Sequence, residues 1–131
     1  MTLKKFRRSA GQSLVETALV LPVILLLLLG IVEFGRVFSA YLVITNASRE
    51  GARCAAVNRT DTNVVDVVRG SLISLNLSSS TIRIQPEGSL RESGKQVSVE
   101  VDYTMNFITP LMSGIVRGPV TLKSVTVMRV E

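Results

Sequence analysis

The ionisable side chain most out of place in this sequence is Glu16, which lies in an otherwise uncharged, strongly apolar stretch. Between Arg8 and Glu33 there are 24 residues, and Glu16 is the only charged one among them. A charge near the centre of a membrane helix costs about 2.5 to 3.5 kcal/mol, so such a residue usually has a partner or a role. Alternatively, Glu16 follows Arg8 closely enough to lie at the depth of the lipid headgroups. Glu16 is therefore either a functional carboxylate or an interfacial one.

The chain offers few other groups for chemistry. It has no histidine and one cysteine, Cys54, which excludes an intramolecular disulfide, a Ser/His/Asp or Cys/His catalytic set and the commonest metal clusters. Cys54 lies in an Ala-rich stretch, where it could be a small buried side chain or, alternatively, an intermolecular bridge or a reactive thiol. The chain has no phosphate-binding loop either. We predict a protein that is not an enzyme and that has no cofactor and no metal site.

The positive charge of the chain is concentrated at its beginning. Lys4, Lys5, Arg7 and Arg8 are four of the 15 basic residues, and residues 12–131 hold 11 basic against 10 acidic side chains. A nucleic-acid surface would need basic residues gathered on the folded domain. We therefore expect no nucleic-acid partner.

The apolar stretch is long enough to cross a membrane. Residues 12–33 as a helix, at 1.5 Å per residue, span about 33 Å, against roughly 30 Å of hydrocarbon. Because the basic residues flank the N-terminal side, the positive-inside rule predicts residues 1–11 as a cytoplasmic leader and residues 34–131 as an extracytoplasmic domain. A cleaved secretory signal is a poor alternative, since Phe38-Ser39-Ala40 puts a bulky residue where a small one is needed.

The helical pattern continues beyond the membrane. Apolar residues recur at intervals of three and four from Phe34 to Cys54, which predicts one helix from about Leu14 to Val57, with a kink at Pro22. Small residues along it would let another backbone approach closely, and the neighbour could be the chain's own sheet or a second helix. The candidate packing residues are Pro22, Gly30, Gly35, Ala47, Gly51 and Ala52.

The rest of the chain predicts one more helix and a small sheet. Apolar spacing indicates a helix over residues 63–76, with Asp61 or Thr62 as its N-cap, and alternation indicates strands within residues 81–131. Residues 97–105 alternate strictly, whereas the last strand changes phase at Val125 and Val127, which predicts a bulge near Ser124 or burial of both faces. The fold class expected is α+β: a long N-terminal transmembrane helix continuing as a spine, one short helix and an antiparallel sheet of about three strands.

Five short segments in the first part of the chain occur in an order and at a spacing that resemble a known family. They are Gly11, Glu16, Leu19-Val20-Leu21-Pro22, Glu33-Phe34-Gly35-Arg36 and Ala47-Ser48-Arg49-Glu50-Gly51-Ala52-Arg53. Together, over about a third of the chain, they resemble the TadE-like family of minor pseudopilins from tight-adherence pilus systems. Thr17 is a departure, because the family commonly has an aromatic residue after the glutamate.

The resemblance implies a processing site and a role for Glu16. A prepilin peptidase would cut after Gly11, so that residues 1–11 are a class III signal peptide and Gln12 becomes the new N-terminus. Glu16 would then neutralise the α-ammonium group of Gln12 and fix the register of neighbouring subunits. The family-motif charges Glu33, Arg36, Arg49, Glu50 and Arg53 could contact partners, but an ion pair between the first two and a solvated face for the others are the simpler interpretations.

The resemblance also implies partners and a location. The fold would be type IV pilin-like, and the partners would be the prepilin peptidase, other pilins or pseudopilins, the pilus assembly platform and membrane lipid. The protein would lie in the bacterial cytoplasmic (inner) membrane, with incorporation into a pilus left open. The alternative is an uncleaved, single-pass membrane-anchored binding module that meets a ligand through its strands or through residues 107–119.

Overall fold

The computed structural model describes the backbone of residues 6–57, 60–109, 112, 114, 116 and 118–131, and side chains from Gly11 onward. Its elements in chain order are helix α1 (Phe6–Val57), helix α2 (Asp61–Ser71) and strands β1 (Ser80–Gln85), β2 (Gln96–Met105) and β3 (Val120–Arg129). Single 3₁₀ turns lie at Leu77–Ser79 and Gly88–Leu90. The α+β class predicted from the sequence is confirmed.

Two compact units make up the chain, one ending at Gly35 and one covering Arg36–Glu131. The first unit is the apolar part of α1. Among the residues that the structure describes, one helix is long and apolar enough to cross a membrane; its most apolar 18-residue window has a mean hydropathy of 2.7, and none of that window is buried in the chain. The helix continues through Pro22. It begins before the predicted Leu14 and ends at Val57, as expected.

The second unit packs the remainder of α1 and helix α2 with a three-stranded antiparallel sheet in the order β1-β2-β3. Its core is built almost entirely of small and β-branched side chains, and alternate β2 residues from Val97 to Met105 are all buried, as the alternation predicted. The buried core consists of Ala40, Ile44, Ala47, Ala52, Ala55, Val64, Val68, Leu72, Val97, Val99, Val101, Tyr103, Met105 and Val130.

Helix α2 is shorter than the sequence indicates and lacks the predicted side-chain cap. It begins at Asp61 and ends at Ser71, with Thr60 as an N-cap that makes no side-chain hydrogen bond. Gly70 and Ser71 are weak helix formers, and the backbone N–H of Leu72 bonds to carbonyls of the last turn, closing the helix. Its buried residues are Val64 and Val68, and Leu72 follows directly in the core.

Strand β3 contradicts the predicted bulge. Its pairing with β2 is regular from Arg129 to Val120, and its alternation does not change phase. Val125 and Val127 face outward and are about half exposed, whereas Ser124 and Thr126 face inward. The inward hydroxyls are satisfied by Ser48 of α1, whose Oγ lies 2.9 Å from Ser124 Oγ and 2.8 Å from Thr126 Oγ1. A polar contact between helix and sheet therefore replaces the apolar one that the sequence pattern assumed.

Candidate functional site

Glu16 lies on an exposed face of α1, at one end of an apolar groove. The groove has a volume of about 380 Å³ and is lined by Glu16, Thr17, Val20, Leu21, Ile24 and Leu25. Gln12 Nε2 donates to Glu16 Oε1 at 3.4 Å, so these two residues share one helix face. The Thr17 hydroxyl donates to the Ser13 carbonyl at 2.9 Å, a hydrogen bond within the same exposed helix. The arrangement leaves a carboxylate beside an apolar surface that nothing in its own unit covers.

The glycines predicted for processing and helix packing are open on α1. A Cβ built on Gly11, Gly30 or Gly35 would meet nothing within 4 Å. Pro22 is likewise on the exposed part of the helix. Of the leader, Lys4 and Lys5 lie outside the described residues, and only the backbone is described for residues 6–10. These positions are therefore accessible to an enzyme or to a second helix, and their predicted roles remain predictions.

Glu33 and Arg36, which close the apolar segment, differ in exposure. Glu33 is 1% exposed, a burial that the sequence did not predict, and Arg36 is half-buried. A buried carboxylate needs a polar partner to offset its lost hydration. Both residues take part in polar or electrostatic interactions within the structure. Glu33 is thus more than a solvated charge at the end of the apolar segment.

The small residues of the last family segment, residues 47–53, are buried inside the second compact unit. Ala47 and Ala52 are fully buried. A Cβ on Gly51 would lie 2.4 Å from Val68 Cγ2 and 3.1 Å from Val99 Cγ1, so α1 approaches both α2 and β2 as closely as a glycine permits. In this segment the chain's own helix and sheet are the neighbours of the small residues.

The charged residues of the same segment lie on the opposite, exposed side of α1. Arg53 Nη2 and Glu50 Oε1 are 3.4 Å apart, and the other Glu50 oxygen accepts from the Ser71 hydroxyl at 3.4 Å. Arg49 is exposed. Cys54, beside them, is half-buried and packs against the core. An exposed pair of this kind contributes little to stability, which leaves these charges available for partners.

Sequence reasoning missed a partly buried ion pair that ties α2 to the β1–β2 loop. Arg91 is 2% exposed; its guanidinium bonds to Asp61 Oδ1 and donates to the Pro86 carbonyl at 3.1 Å. The second Asp61 oxygen accepts from the Gly88 N–H at 3.0 Å. Asp61 had been expected to cap its own helix, and an arginine 30 residues away gave no signal in the pattern. The described residues contain no group of ligands that could hold a metal ion.

The fold and the site define a class: a protein with one membrane-length apolar helix, a carboxylate near its start and a small α+β unit after it. The family model described as TadE-like protein matches residues 11–53, roughly a third of the chain. It confirms the TadE-like resemblance predicted from these same residues, which suggests involvement in tight-adherence pilus assembly. No curated protein and no solved structure matches the chain.

Proposed function

We propose that this protein is a minor pseudopilin, an assembly subunit of a tight-adherence pilus that is held in the bacterial inner membrane by α1. The observation that carries the proposal is the match to the TadE-like family over residues 11–53, a segment that contains the whole exposed apolar helix. The family is one of structural and assembly proteins, in keeping with a chain that has no histidine and a single cysteine. Residues 1–11 stay in the cytoplasm and the α+β unit lies outside.

Processing by a prepilin peptidase supplies the chemistry of the site. Cleavage of the Gly11–Gln12 bond frees an α-ammonium group on Gln12, one helical turn before Glu16. In an apolar environment an isolated ammonium or carboxylate is costly, but an opposite charge nearby offsets that cost. The existing contact between Gln12 and Glu16 supports this pairing, because it places both residues on one face.

The apolar groove next to Glu16 supports a role in assembly. Its lining is aliphatic apart from Glu16 and Thr17, and it could receive the apolar helix of a neighbouring pilin or pseudopilin. In that arrangement Glu16 of one subunit meets the α-ammonium group of the next, which fixes their register. Because the operation that relates the two subunits does not close, the contact extends into a helical assembly on its platform.

The experiment that tests the proposal is intact mass and N-terminal sequencing of the protein from its own host, with the prepilin peptidase present or deleted. The expected result is a chain that starts at Gln12 only when the peptidase is present. A chain that keeps Met1 in both strains would contradict processing and leave an anchored binding module.

A second arm isolates Glu16. In Glu16→Gln the side chain keeps its size and one acceptor oxygen but loses its charge, so membrane insertion should be unchanged or improved while pilus assembly falls at least tenfold. Glu87→Gln is the control, since Glu87 is an exposed carboxylate outside both the apolar segment and the family segments. Normal pilus assembly by Glu16→Gln would rule out the proposed register role.

A further inference from the structure

A second cavity lies within the unit Arg36–Glu131. Its polar lining has no part in the proposed assembly role. The cavity has a volume of about 280 Å³ and lies between α1, the segment after α2 and the end of β2. Its polar lining is Arg36, Ser39, Ser74, Asn76 and Tyr103, and three apolar side chains complete it. The lining contains a cation and several hydrogen-bond donors but no carboxylate, so its chemistry suits an anion.

Tyr103 is the strongest indication that this cavity takes a ligand. The residue is 9% exposed, yet its hydroxyl makes no hydrogen bond with the described residues. The hydroxyl oxygen is not fully enclosed, so solvent can reach it. A buried tyrosine usually satisfies its O–H. Water or a ligand in the cavity therefore supplies the partner, and a ligand with an acceptor oxygen can take the place of the water.

The other polar groups point to a ligand that accepts hydrogen bonds. The Asn76 side-chain oxygen already accepts from the Ser78 N–H and hydroxyl, which leaves its amide N–H groups as donors toward a ligand. Arg36 has an interaction within the protein, but a guanidinium carries five N–H donors and can serve a ligand as well. Arginine with neutral donors is a usual composition for binding phosphate oxygens.

The position of Arg36 in the sequence indicates that lipid phosphates lie close to it. Arg36 follows Val32, the last residue of the apolar run, by four helical residues, or about 6 Å of helix axis. The headgroup region on each side of a bilayer is about 5 to 8 Å thick, which places Arg36 among the lipid phosphates when the apolar segment spans the membrane.

We propose that this cavity binds the phosphate of a phospholipid headgroup, with Arg36 and the Tyr103 hydroxyl as its principal contacts and Asn76 as a further donor. The apolar part of the lining contacts the glycerol carbons. This inference rests on the proposed membrane anchoring. As a consequence, a specific lipid of the outer leaflet would attach the unit Arg36–Glu131 to the membrane, in addition to the attachment that α1 provides.

The test is lipid binding by the full-length protein in detergent micelles, measured by native mass spectrometry. The probes are dioleoyl phosphatidylglycerol and, as a lipid without phosphate, dioleoylglycerol. Phosphatidylglycerol should bind as one tight equivalent and dioleoylglycerol should not. Tyr103→Phe and Arg36→Gln should each weaken that binding about tenfold, because each removes a hydrogen bond to a charged group. Tyr41→Phe, at an exposed tyrosine on α1 outside the cavity, should bind like the original chain.

Each other outcome contradicts the lipid assignment. Equal binding by Tyr103→Phe, Arg36→Gln and the unchanged chain would overturn it, as would equal binding of the two lipids. If glycerol 3-phosphate displaces the bound lipid at equal concentration, the ligand is a soluble phosphate and the lipid source is wrong. Membrane fractionation and the start at Gln12 are measured for the same variants, and both should be unchanged, so a failure here is distinguishable from a failure of the pseudopilin proposal.

Discussion

Gly51 shows how a single residue sets the distance between elements. Its position on α1 faces Val68 of α2 and Val99 of β2, and both valines are fully buried. A β-branched side chain has few rotamers, so neither valine can turn away from an added methyl group. The glycine of the family segment is thus explained by packing within this chain.

Gly51→Ala is expected to destabilise the unit Arg36–Glu131 by about 1 to 3 kcal/mol. The new Cβ overlaps Val68, and the free energy lost in packing exceeds the gain from alanine's higher helix propensity. Thermal unfolding followed by circular dichroism would show a lower Tm. Gly70→Ala in α2 is the control: nothing lies within 4 Å of its Cβ, so the substitution should stabilise the helix by about 0.5 to 1 kcal/mol. Equal Tm gains for both variants would contradict the close approach.

The outward face of the sheet shows how three strands share one set of charges. Glu100 on β2 is 2.7 Å from Arg83 Nη1 on β1 and 2.7 Å from Lys123 Nζ on β3. Arg83 also contacts Asp102 at 3.3 Å. The hydrogen bond from Lys123, with the charges of Lys123 and Arg83, lowers the pKa of Glu100 below its ordinary value of 4.5. The pairing therefore stabilises the folded state while Glu100 is ionised.

A stability profile against pH tests this cross-strand arrangement. Since folding lowers the pKa of Glu100, its contribution is fully present above about 4.5 and is lost as the pH falls through the lower folded pKa. Glu100→Gln should therefore reduce Tm at pH 7 and flatten the acid limb of the profile. Glu87→Gln, at an exposed carboxylate with no ion pair in the described residues, should leave the profile unchanged. A steep acid limb retained by Glu100→Gln would contradict the assignment.

An element could be predicted from the sequence where a local apolar pattern determines it. It could not be predicted where a contact with a residue far along the chain determines which face is buried. The first part of α1 could be predicted from the length of its uncharged apolar run, and strand β2 from its strict alternation. The phase of β3 could not be predicted in this way. Ser124 and Thr126 face inward because they hydrogen-bond to Ser48. Val125 and Val127 face outward although valine is a typical core residue. A hydroxyl on a helix gives no local sign that it will meet two hydroxyls on a strand.

Local sequence motifs likewise predicted only some of the site residues. The positions of Gly11, Glu16 and the family segments were visible in the sequence, since each is a short local pattern. The pairing of Asp61 with Arg91 and the cavity around Tyr103 both require contacts between separate elements. No spacing rule brings such residues together, because their proximity is a product of the tertiary fold.

The molecule as a whole consists of an anchor and a unit with its own core. Every buried core residue lies between Ala40 and Val130, inside the unit that begins at Arg36. The anchor contributes apolar surface that the chain itself leaves uncovered. Stability and membrane attachment should therefore be separable properties.

A fragment of residues 36–131 is expected to be water-soluble and to unfold cooperatively, since it retains the complete core. Circular dichroism during heating and size-exclusion chromatography would measure this. The same fragment with Val99→Asp places a charge at a fully buried position and should not fold. Gradual, non-cooperative melting of the original fragment would show that the anchor is needed for the fold.

The contact between Ser48 and Ser124 joins residues 76 positions apart, and it has a consequence for biogenesis. In the proposed topology the N-terminus stays inside and the following residues emerge outside in chain order, so the end of α1 and the apolar face of β2 are exposed before β3 has emerged. The sheet cannot be completed until synthesis has passed Arg129, so this unit folds late in translocation. Until then, the valines of β2 are open to chaperones and proteases in the compartment outside the membrane.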